Sequence, residues 1–165
     1  MKKVFLLMMA GLLMAACATL TPEEKAARKA KRVEEVKTAL IQKKYKIDVN
    51  SMTPMRGTSR PISGRWIKVD STIVECSLPY AGLDDIPHLK TRGEVRMDSR
   101  LDFKSEISDY VMSFQPSEKR TIITFKSEYM GQVYTFHLFV EEEGNVRIHL
   151  EPDKRDFIDY EGHIQ

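Results

Sequence analysis

The chain has 165 residues, which is enough for one domain with a hydrophobic core and too few to expect two domains. Charged residues make up 30% of the chain and hydrophobic residues 42%, which excludes a disordered chain of unbalanced charge and a polytopic membrane protein. Of the 26 Lys and Arg, two lie in an apolar leader, and without them the count equals the 24 Asp and Glu, so a nucleic-acid partner is not expected.

The first 16 residues have the three parts of a signal peptide. Lys2 and Lys3 form the basic start, residues 4–14 form the apolar stretch, and the pair Ala15-Ala16 supplies small residues before a cleavage site. The apolar stretch is shorter than the ~18 residues that a membrane-spanning helix needs. We therefore predict that residues 1–16 are a signal peptide that is removed.

Cys17 follows the two alanines directly, and the sequence Met14-Ala15-Ala16-Cys17 resembles a bacterial lipobox. In such a motif the thiol is joined to diacylglycerol, the leader is cut before the cysteine, and the new N-terminus is acylated. One acyl chain binds a bilayer only marginally, whereas two or more hold it firmly. The alternative is an ordinary secretory signal with a chance cysteine at the cut. We predict that Cys17 carries the lipid.

Cys76 is the other cysteine, and a lipid on Cys17 leaves it without a disulfide partner in the chain. In the segment TIVECSLP, Cys76 alternates with Val74 and Leu78 on one face of a predicted strand. A thiol on a buried apolar face behaves as a small hydrophobic group. We therefore predict that Cys76 is buried and unreactive.

A helix of about 22 residues is predicted after the cysteine, because Thr21 is a good N-cap, Pro22 suits the first helical position and Glu24 completes a capping box. The side chains of its apolar stripe become larger toward the C-terminal end: Ala26, Ala30, Val33, Val36 and Leu40. We expect the second half to pack on the domain and the first half to act as a stalk. Residues 17–44 thus form a lipid-anchored N-terminus and basic helix, which either contacts anionic headgroups or is simply solvated.

From residue 45 to residue 165 the hydrophobic period changes to two, which is typical of strands. We predict about nine strands in a mainly antiparallel meander that forms a β-sandwich or a barrel. Residues 50–64 read as a loop, and a tight turn at Asp70-Ser71 sets Ile67 opposite Val74. The clearest strand is VRMDSRLDFK, and its alternation predicts one buried and one solvated face.

The last third predicts strand register as well, because the apolar faces must stay together across each turn. We place turns at Ser117-Glu118, at Met130-Gly131 and at Glu143-Gly144-Asn145. The cross-strand pairs that follow on the inner face are Phe114 with Thr121, Met112 with Ile123, Tyr110 with Phe125, Phe125 with Phe136, Ile123 with Leu138, Val140 with Ile148, and Leu138 with Leu150. The outer face then sets Glu141 opposite Arg147 and His137 opposite Glu151.

Chemistry-bearing motifs are not found: there is no phosphate-binding or dinucleotide glycine loop, no H-E-x-x-H, no serine elbow and no paired C-x-x-C. The nearest set to a metal site is His137, His149 and Glu151, but two exposed histidines beside a carboxylate are more often simply part of a polar sheet face. The loop residues Asp84, Asp85 and His88 could form an acid–base set, but loops rich in Asp and Pro are usually turns. We predict no enzyme, no metal centre and no cofactor.

Tyr80 and Trp66 are the candidates for a binding rim. Pro79 should end its strand, which leaves Tyr80 at the edge of the sheet, where ligands often bind. The alternative is that Tyr80 packs over the open end of the core. Trp66 lies on the face opposite Ile67 and is either a rim contact or a docking site for the helix.

Several segments in order resemble the Bacteroidetes lipoproteins grouped as domain of unknown function 4251: the lipobox, the basic helix, RPISG, SLPYAG, ISDY and FIDYEGHI. The best markers are Leu78-Pro79-Tyr80 with Gly82, and Tyr160 with Gly162. The resemblance implies a secreted, lipid-anchored, β-rich domain without a known activity, so no functional residue is carried over from it. The charged segment LDDIPHLKTRGE departs from the Gly-rich loop expected there.

Surface-exposed lipoproteins of this bacterial group tend to carry acidic residues after the cysteine, whereas here residues 18–21 are Ala, Thr, Leu and Thr. This favours the periplasmic leaflet of the outer membrane. We expect a non-enzymatic binding or structural module, held to the membrane through Cys17, whose partner is an envelope protein or a glycan. The alternative is a β-barrel carrier of a small apolar ligand, against which large inner-face residues such as Phe114, Phe125 and Phe136 argue. A hydrolase would need a converging nucleophile and base, and none is visible.

Overall fold

The computed structural model of the chain describes residues 21–80 and 99–165. This part contains one α-helix, α1 (Pro22–Ile41), a 3-10 turn (Pro116–Glu118) and eight strands. The strands are β1 (Lys44–Pro54), β2 (Arg60–Asp70), β3 (Ile73–Tyr80), β4 (Ser99–Gln115), β5 (Arg120–Tyr129), β6 (Gln132–Glu141), β7 (Asn145–Pro152) and β8 (Ile158–Ile164). Each strand pairs antiparallel with the next, and β8 pairs with β1, so the sheet closes into a barrel. The predicted antiparallel meander is confirmed, and closure makes it a barrel.

Helix α1 begins at the predicted capping box. The Thr21 backbone N–H donates to Glu24 Oε2 at 2.9 Å, and the Glu24 backbone N–H donates to Thr21 Oγ1 at 3.2 Å. These two bonds satisfy backbone donors that have no partner inside the helix. Within the described ranges, no helix is both long and apolar enough to span a membrane. One compact unit ends at Lys31, and a second, which contains the whole barrel, begins at Arg32.

In this second unit, the last turns of α1 pack on the barrel. Val36 and Leu40 are buried, as the apolar stripe predicts. The Arg32 guanidinium donates to the backbone carbonyl of Ile164, and its Nη2 lies 3.0 Å from His163 Nε2. An arginine only donates hydrogen bonds, so His163 Nε2 accepts, and the opposite ring nitrogen faces Asn145 Oδ1 at 3.2 Å. The helix thus holds His163 in its neutral form.

The stability contributed by His163 is expected to depend on pH. Burial, and then the Arg32 guanidinium, lower the pKa of His163 below its ordinary value. The pKa of a histidine in the unfolded chain is about 6.5. When the pKa in the folded chain is lower, the histidine contributes its full stability at pH values above the unfolded pKa, and this contribution is lost as the pH falls through the folded pKa. We expect the free energy of unfolding of the wild type, measured with urea, to fall relative to that of His163→Gln between about pH 7 and pH 5. A difference that stays constant over this range would contradict the assignment.

Large side chains fill the inside of the barrel. Phe125 and Phe136 are fully buried, and their rings stack with centroids 4.7 Å apart. The predicted pairs of Phe125 with Phe136 and of Ile123 with Leu138 are confirmed, because the two-residue turn falls at Met130 and Gly131, both with positive φ. Such a turn matches the twist of the strands it joins. The inner face of β5 and β6 is therefore the centre of the core.

The predicted register of β6 and β7 is wrong by two residues. Gly144, with φ of 96°, occupies the last position of a three-residue loop, where a left-handed residue is needed, and not the middle position. Val140 consequently lies opposite Val146, and Leu138 lies opposite Ile148. A shift of two residues returns every side chain to the same face, so the buried set is unchanged.

The turn between β2 and β3 also lies one residue later than predicted, at Ser71-Thr72. Ser71 has φ of 57°, and this left-handed position begins the turn. Ile67 therefore lies opposite Cys76 instead of Val74. Again the shift is two residues, and the apolar faces stay together.

The loop predicted over residues 50–64 is mostly strand. β1 continues to Pro54 and β2 begins at Arg60. The register shifts between Val49 and Ser51, so one extra residue is inserted there and the alternation changes phase. Met52 is buried after this bulge. The phase change hides the strand from a search for strict period two.

The first half of β4 follows the predicted alternation, and the second half does not. Leu101 and Phe103 are buried, while residues 95–98 of the predicted strand lie outside the described ranges. Phe114 and Met112 keep their predicted partners on β5 but are 58% and 42% exposed, so the inner-face prediction for them is wrong. A bulge near Tyr110 also removes its predicted pairing with Phe125, although the two rings still stack at 6.0 Å.

The exposure of Phe114 and Met112 follows from the length of β4, which has 17 residues. β3 pairs with its first half and β5 with its second half. The second half thus extends past β3 and leaves the core. Met112 and Phe114, the apolar side chains of this second half, line an open groove of about 350 Å³ together with Ile41 of α1.

Candidate functional site

A polar groove of about 550 Å³ lies on the outer face of β6, β7 and β8, and we call it the outer groove. Its lining includes Phe139, Asn145, Arg147, His149, Asp159 and Glu161. These side chains point outward because the residues between them, such as Ile148 and Tyr160, are buried in the core. The volume is within the range of small-molecule sites in proteins, about 300–1,000 Å³.

Asp159 organises the middle of the outer groove. It lies directly opposite His149 across the β7–β8 pair. Its Oδ1 is 2.8 Å from His149 Nδ1, and its Oδ2 accepts a hydrogen bond from Arg147 Nη2 at 3.2 Å. Because a carboxylate only accepts hydrogen bonds, His149 Nδ1 carries the proton of this contact. The Asp159 carboxylate therefore connects His149 and Arg147 by hydrogen bonds.

The other end of the outer groove combines an aromatic ring with charges of both signs. The Arg120 guanidinium lies over the Phe139 ring, 5.5 Å from its centroid. Asn145 Nδ2 donates to Glu141 Oε2 at 3.0 Å. A surface of mixed charge and amide groups suits a ligand rich in hydrogen-bonding groups and does not suit a polyanion.

Two of the three candidate metal ligands, the histidines, are neighbours on the sheet. His137 and His149 are directly opposite across the β6–β7 pair, and their ring centroids are 5.9 Å apart. The predicted pairing of His137 with Glu151 is wrong in register, yet Glu151 Oε2 is 4.0 Å from His137 Nε2. Likewise Arg147 lies opposite Phe139 and not Glu141. In residues 21–80 and 99–165, no three His, Cys, Asp or Glu side chains already form a metal-binding group.

Tyr80 lies inside the barrel and is not an exposed aromatic at its rim. It is 1% exposed, and its hydroxyl donates to the backbone carbonyl of Asp156 at 2.5 Å. This placement matches the alternative of packing over the end of the core. Trp66 lies on the outer face of β2, with the Lys46 ammonium 6.0 Å from its ring centroid. Neither residue lines the outer groove, and a binding role for either stays a prediction.

Tyr80 and Tyr160, two of the residues that carry the family resemblance, meet at one end of the barrel. The Tyr160 hydroxyl donates a hydrogen bond to the backbone carbonyl of Pro79 at 2.7 Å. The Tyr80 hydroxyl donates to the backbone carbonyl of Asp156, which lies just before β8. β3 and β8 are separated by β1 and β2 in the sheet. The two tyrosines therefore connect opposite walls across the barrel end, which gives these markers a structural role.

Removal of the Tyr160 hydroxyl is expected to destabilise the barrel. Tyr160→Phe leaves the Pro79 carbonyl without this donor, and we expect the free energy of unfolding to fall by about 1–2 kcal/mol in urea titrations. The matched control is Ser127→Ala. Ser127 Oγ is buried and has no hydrogen-bond partner among the described residues, so its removal should be neutral or slightly stabilising. Equal losses in the two variants would contradict a specific role for the Tyr160 bond.

Cys76 has the predicted character of a core residue. It is 2% exposed, and burial raises the pKa of its thiol to about 12. A thiol that stays protonated at neutral pH is a poor nucleophile. The other cysteine, Cys17, and the loop set Asp84, Asp85 and His88 lie outside the described residues.

Sequence reasoning did not find the set formed by Arg147, His149 and Asp159. The signal was present in part, because both β7 and β8 place charged or polar residues at alternate, outward positions. The sequence did not define the register of β8 against β7, because the two strands are not joined by a short turn flanked by a clear apolar pattern. The pairing that brings these side chains together became visible only in the folded barrel.

Comparison with known proteins agrees with this architecture. A family model described as Domain of unknown function (DUF4251) matches residues 27–164. No curated protein matches the sequence significantly. The crystal structure of a DUF4251 family protein from Bacteroides eggerthii DSM 20697 is similar with a TM-score of 0.66, covering 84% of this chain and 89% of that chain at 11% sequence identity. At this identity the likeness concerns the fold. On the match over most of its length, the chain belongs to the DUF4251 family.

Proposed function

We propose that this protein is a lipid-anchored protein of the bacterial cell envelope whose barrel is a non-enzymatic binding module, with its ligand on the outer groove. The observation that carries the proposal is the contrast between the two faces of the sheet. The inner face is filled by stacked aromatic rings, and the outer face presents a pre-arranged polar groove of about 550 Å³. Binding is thereby directed to the outside of the barrel.

The filled interior also weighs against a carrier of a small apolar ligand. An eight-stranded barrel has an interior just wide enough to be filled by side chains or to hold one small ligand. Here Phe125, Phe136 and Tyr160 are fully buried in that space. A carrier would need small residues at these positions.

The composition of the outer groove indicates the kind of ligand. Arg147, Asp159 and Asn145 offer donors and acceptors, and Phe139 offers a partly exposed ring. An envelope protein or a glycan has the hydrogen-bonding groups that such a surface recognises. A catalytic role receives no support from Cys76, the thiol in the described ranges, because it is buried and protonated.

The anchoring half of the proposal depends on the leader and on the helix cap. Only residues 18–20 separate Cys17 from Thr21, the capping residue of α1. A lipid on Cys17 would hold α1 beside the bilayer, and the basic residues of its first half favour anionic headgroups. The absence of acidic residues directly after Cys17 favours the periplasmic leaflet of the outer membrane.

Radiolabelled palmitate tests the anchor. We expect the wild type to take up label in its native host and Cys17→Ala to take up none, with the variant moving from the membrane fraction to the soluble fraction. An unlabelled wild type, or equal labelling of the two chains, would refute the anchoring half.

Site-specific photo-crosslinking in the native envelope tests the binding half. A photoreactive amino acid at Phe139 places the probe in the outer groove, and one at Met130 places it in an exposed turn at the opposite end of β6. We expect a discrete adduct from the first position and none from the second. Identical adduct patterns from both positions would show that the groove has no special role.

A further inference from the structure

The cross-strand histidines at the edge of the outer groove have a geometry that the binding proposal does not use. His137 and His149 lie directly opposite each other on the outer face of β6 and β7. Both side chains are about 30% exposed, so their rings are accessible to solvent and their stems are fixed by the sheet. We infer that His137 and His149 form a chelating site for a divalent transition-metal ion of the Zn²⁺, Ni²⁺ and Cu²⁺ class.

The distance between the rings fits two ligands of one ion. A metal bound to each imidazole at about 2.1 Å, with a ligand angle between tetrahedral and linear, places the ring centroids about 5–6.5 Å apart. The observed separation is 5.9 Å. The two rings are thus within range of a shared ion without a change in the strands.

The hydrogen bonds of the two rings leave the same nitrogen of each ring for the metal. His149 Nδ1–H donates to Asp159 Oδ1 at 2.8 Å, and His137 Nδ1 contacts Thr124 Oγ1 at 3.2 Å. Metal-binding histidines usually direct their second nitrogen to a carboxylate, carbonyl or water, which fixes the tautomer and the ring orientation. Asp159 supplies such a carboxylate, so Nε2 of His149 keeps its lone pair.

Glu151 is the nearest further ligand. Its Oε2 is 4.0 Å from His137 Nε2, and its side chain is 63% exposed and can rotate toward a bound ion. The described residues do not hold three converged ligands in the metal-free arrangement, so the site is a two-histidine chelate completed by Glu151 or water. Arg147 is the nearby cation, and its charge is offset by Asp159.

The ligand set also defines the metal class. Imidazole nitrogens suit Zn²⁺, Ni²⁺ and Cu²⁺, whereas Mg²⁺ and Ca²⁺ need mainly oxygen ligands. The ring of Phe157 packs on His149 with centroids 4.8 Å apart and limits the motion of that imidazole. The site should therefore bind a borderline ion and discriminate against hard ions.

Calorimetric titration of the untagged full chain in detergent with ZnCl₂ or NiCl₂ near neutral pH tests the inference. We expect one ion per chain and at least about tenfold weaker binding in His137→Ala and in His149→Ala. We also expect about tenfold weaker binding in Asp159→Asn, which removes the carboxylate that orients the His149 ring and offsets the charge of Arg147. The matched control is His163→Gln, which removes a histidine outside the pair and should bind as the wild type does. If the thermal unfolding temperature of each variant is unchanged, weaker metal binding cannot be attributed to a loss of the fold.

Side-chain ¹⁵N NMR of the histidines supplies the second readout. We expect the Nε2 resonances of His137 and His149 to shift together at one equivalent of Zn²⁺, while the Nδ1–H of His149 remains. The inference is overturned if these two resonances stay in place, or if either single alanine variant binds as tightly as the wild type. Binding of MgCl₂ with equal strength would overturn the assigned metal class.

Discussion

Phe125→Ala is expected to lower the free energy of unfolding by about 3–5 kcal/mol. Phe125 is fully buried, and its ring stacks on Phe136 at 4.7 Å and on Tyr110 at 6.0 Å. Deletion of the ring removes the favourable free energy of its transfer out of water. It also leaves a cavity, because the closed sheet around the site cannot move inward to fill it. The measurement is equilibrium denaturation in urea, with circular dichroism at low denaturant to verify the β structure.

The matched control for this truncation is Phe114→Ala. Phe114 belongs to the same predicted inner face but is 58% exposed at the end of β4. We expect its removal to change stability by only about 0.5 kcal/mol, as for surface substitutions. A loss in Phe125→Ala as small as that in Phe114→Ala would mean that the interior is hollow and that the carrier hypothesis should be restored.

Gly162→Ala is expected to destabilise the barrel by about 3 kcal/mol or to prevent folding. A Cβ at this position would lie 2.4 Å from the backbone oxygen of Asp48 and 3.0 Å from Ile47 Cγ2. The nearer atom belongs to the backbone of a paired strand, so it cannot move aside as a flexible side chain could. Thermal and urea unfolding measure the loss.

Gly57→Ala is the control for this glycine substitution. The nearest atom to its added Cβ would be Pro54 Cγ at 3.6 Å, which is ordinary contact. We expect a change of no more than about 0.5 kcal/mol. A Gly162→Ala variant as stable as this control would show that β1 and β8 do not approach as closely as described.

Gly162 matters because it lies at the seam of the barrel. It is opposite Val49, next to the bulge in β1, and on its other side it is opposite Val146. A glycine in a strand often marks a close backbone approach, and a bulge adds local twist. The two features together allow the last strand to pair with the first.

Features that have local causes could be predicted from the order of the amino acids. The capping box at Thr21 and Glu24 defines the start of α1, because both hydrogen bonds close within three residues. The Met130-Gly131 turn defines the β5–β6 register, because few residues accept two successive left-handed positions. Strict alternation likewise identified the inner faces of β5, β6 and β7, since a side chain cannot change face without a bulge.

Features that depend on residues far apart in the chain could be recognised only in the folded barrel. Closure pairs Ile47 with Ile164, and nothing local to either segment specifies that contact. The outer groove forms only when β8 is in register with β7, which brings Asp159 beside His149. The exposure of Phe114 depends on where β3 begins: Ile73 lies opposite Glu106, so the second half of β4 has no β3 beside it and an apolar residue there has no core to enter. Side-chain periodicity assigns a residue to a face of a strand, but the neighbouring strands determine whether that face is covered.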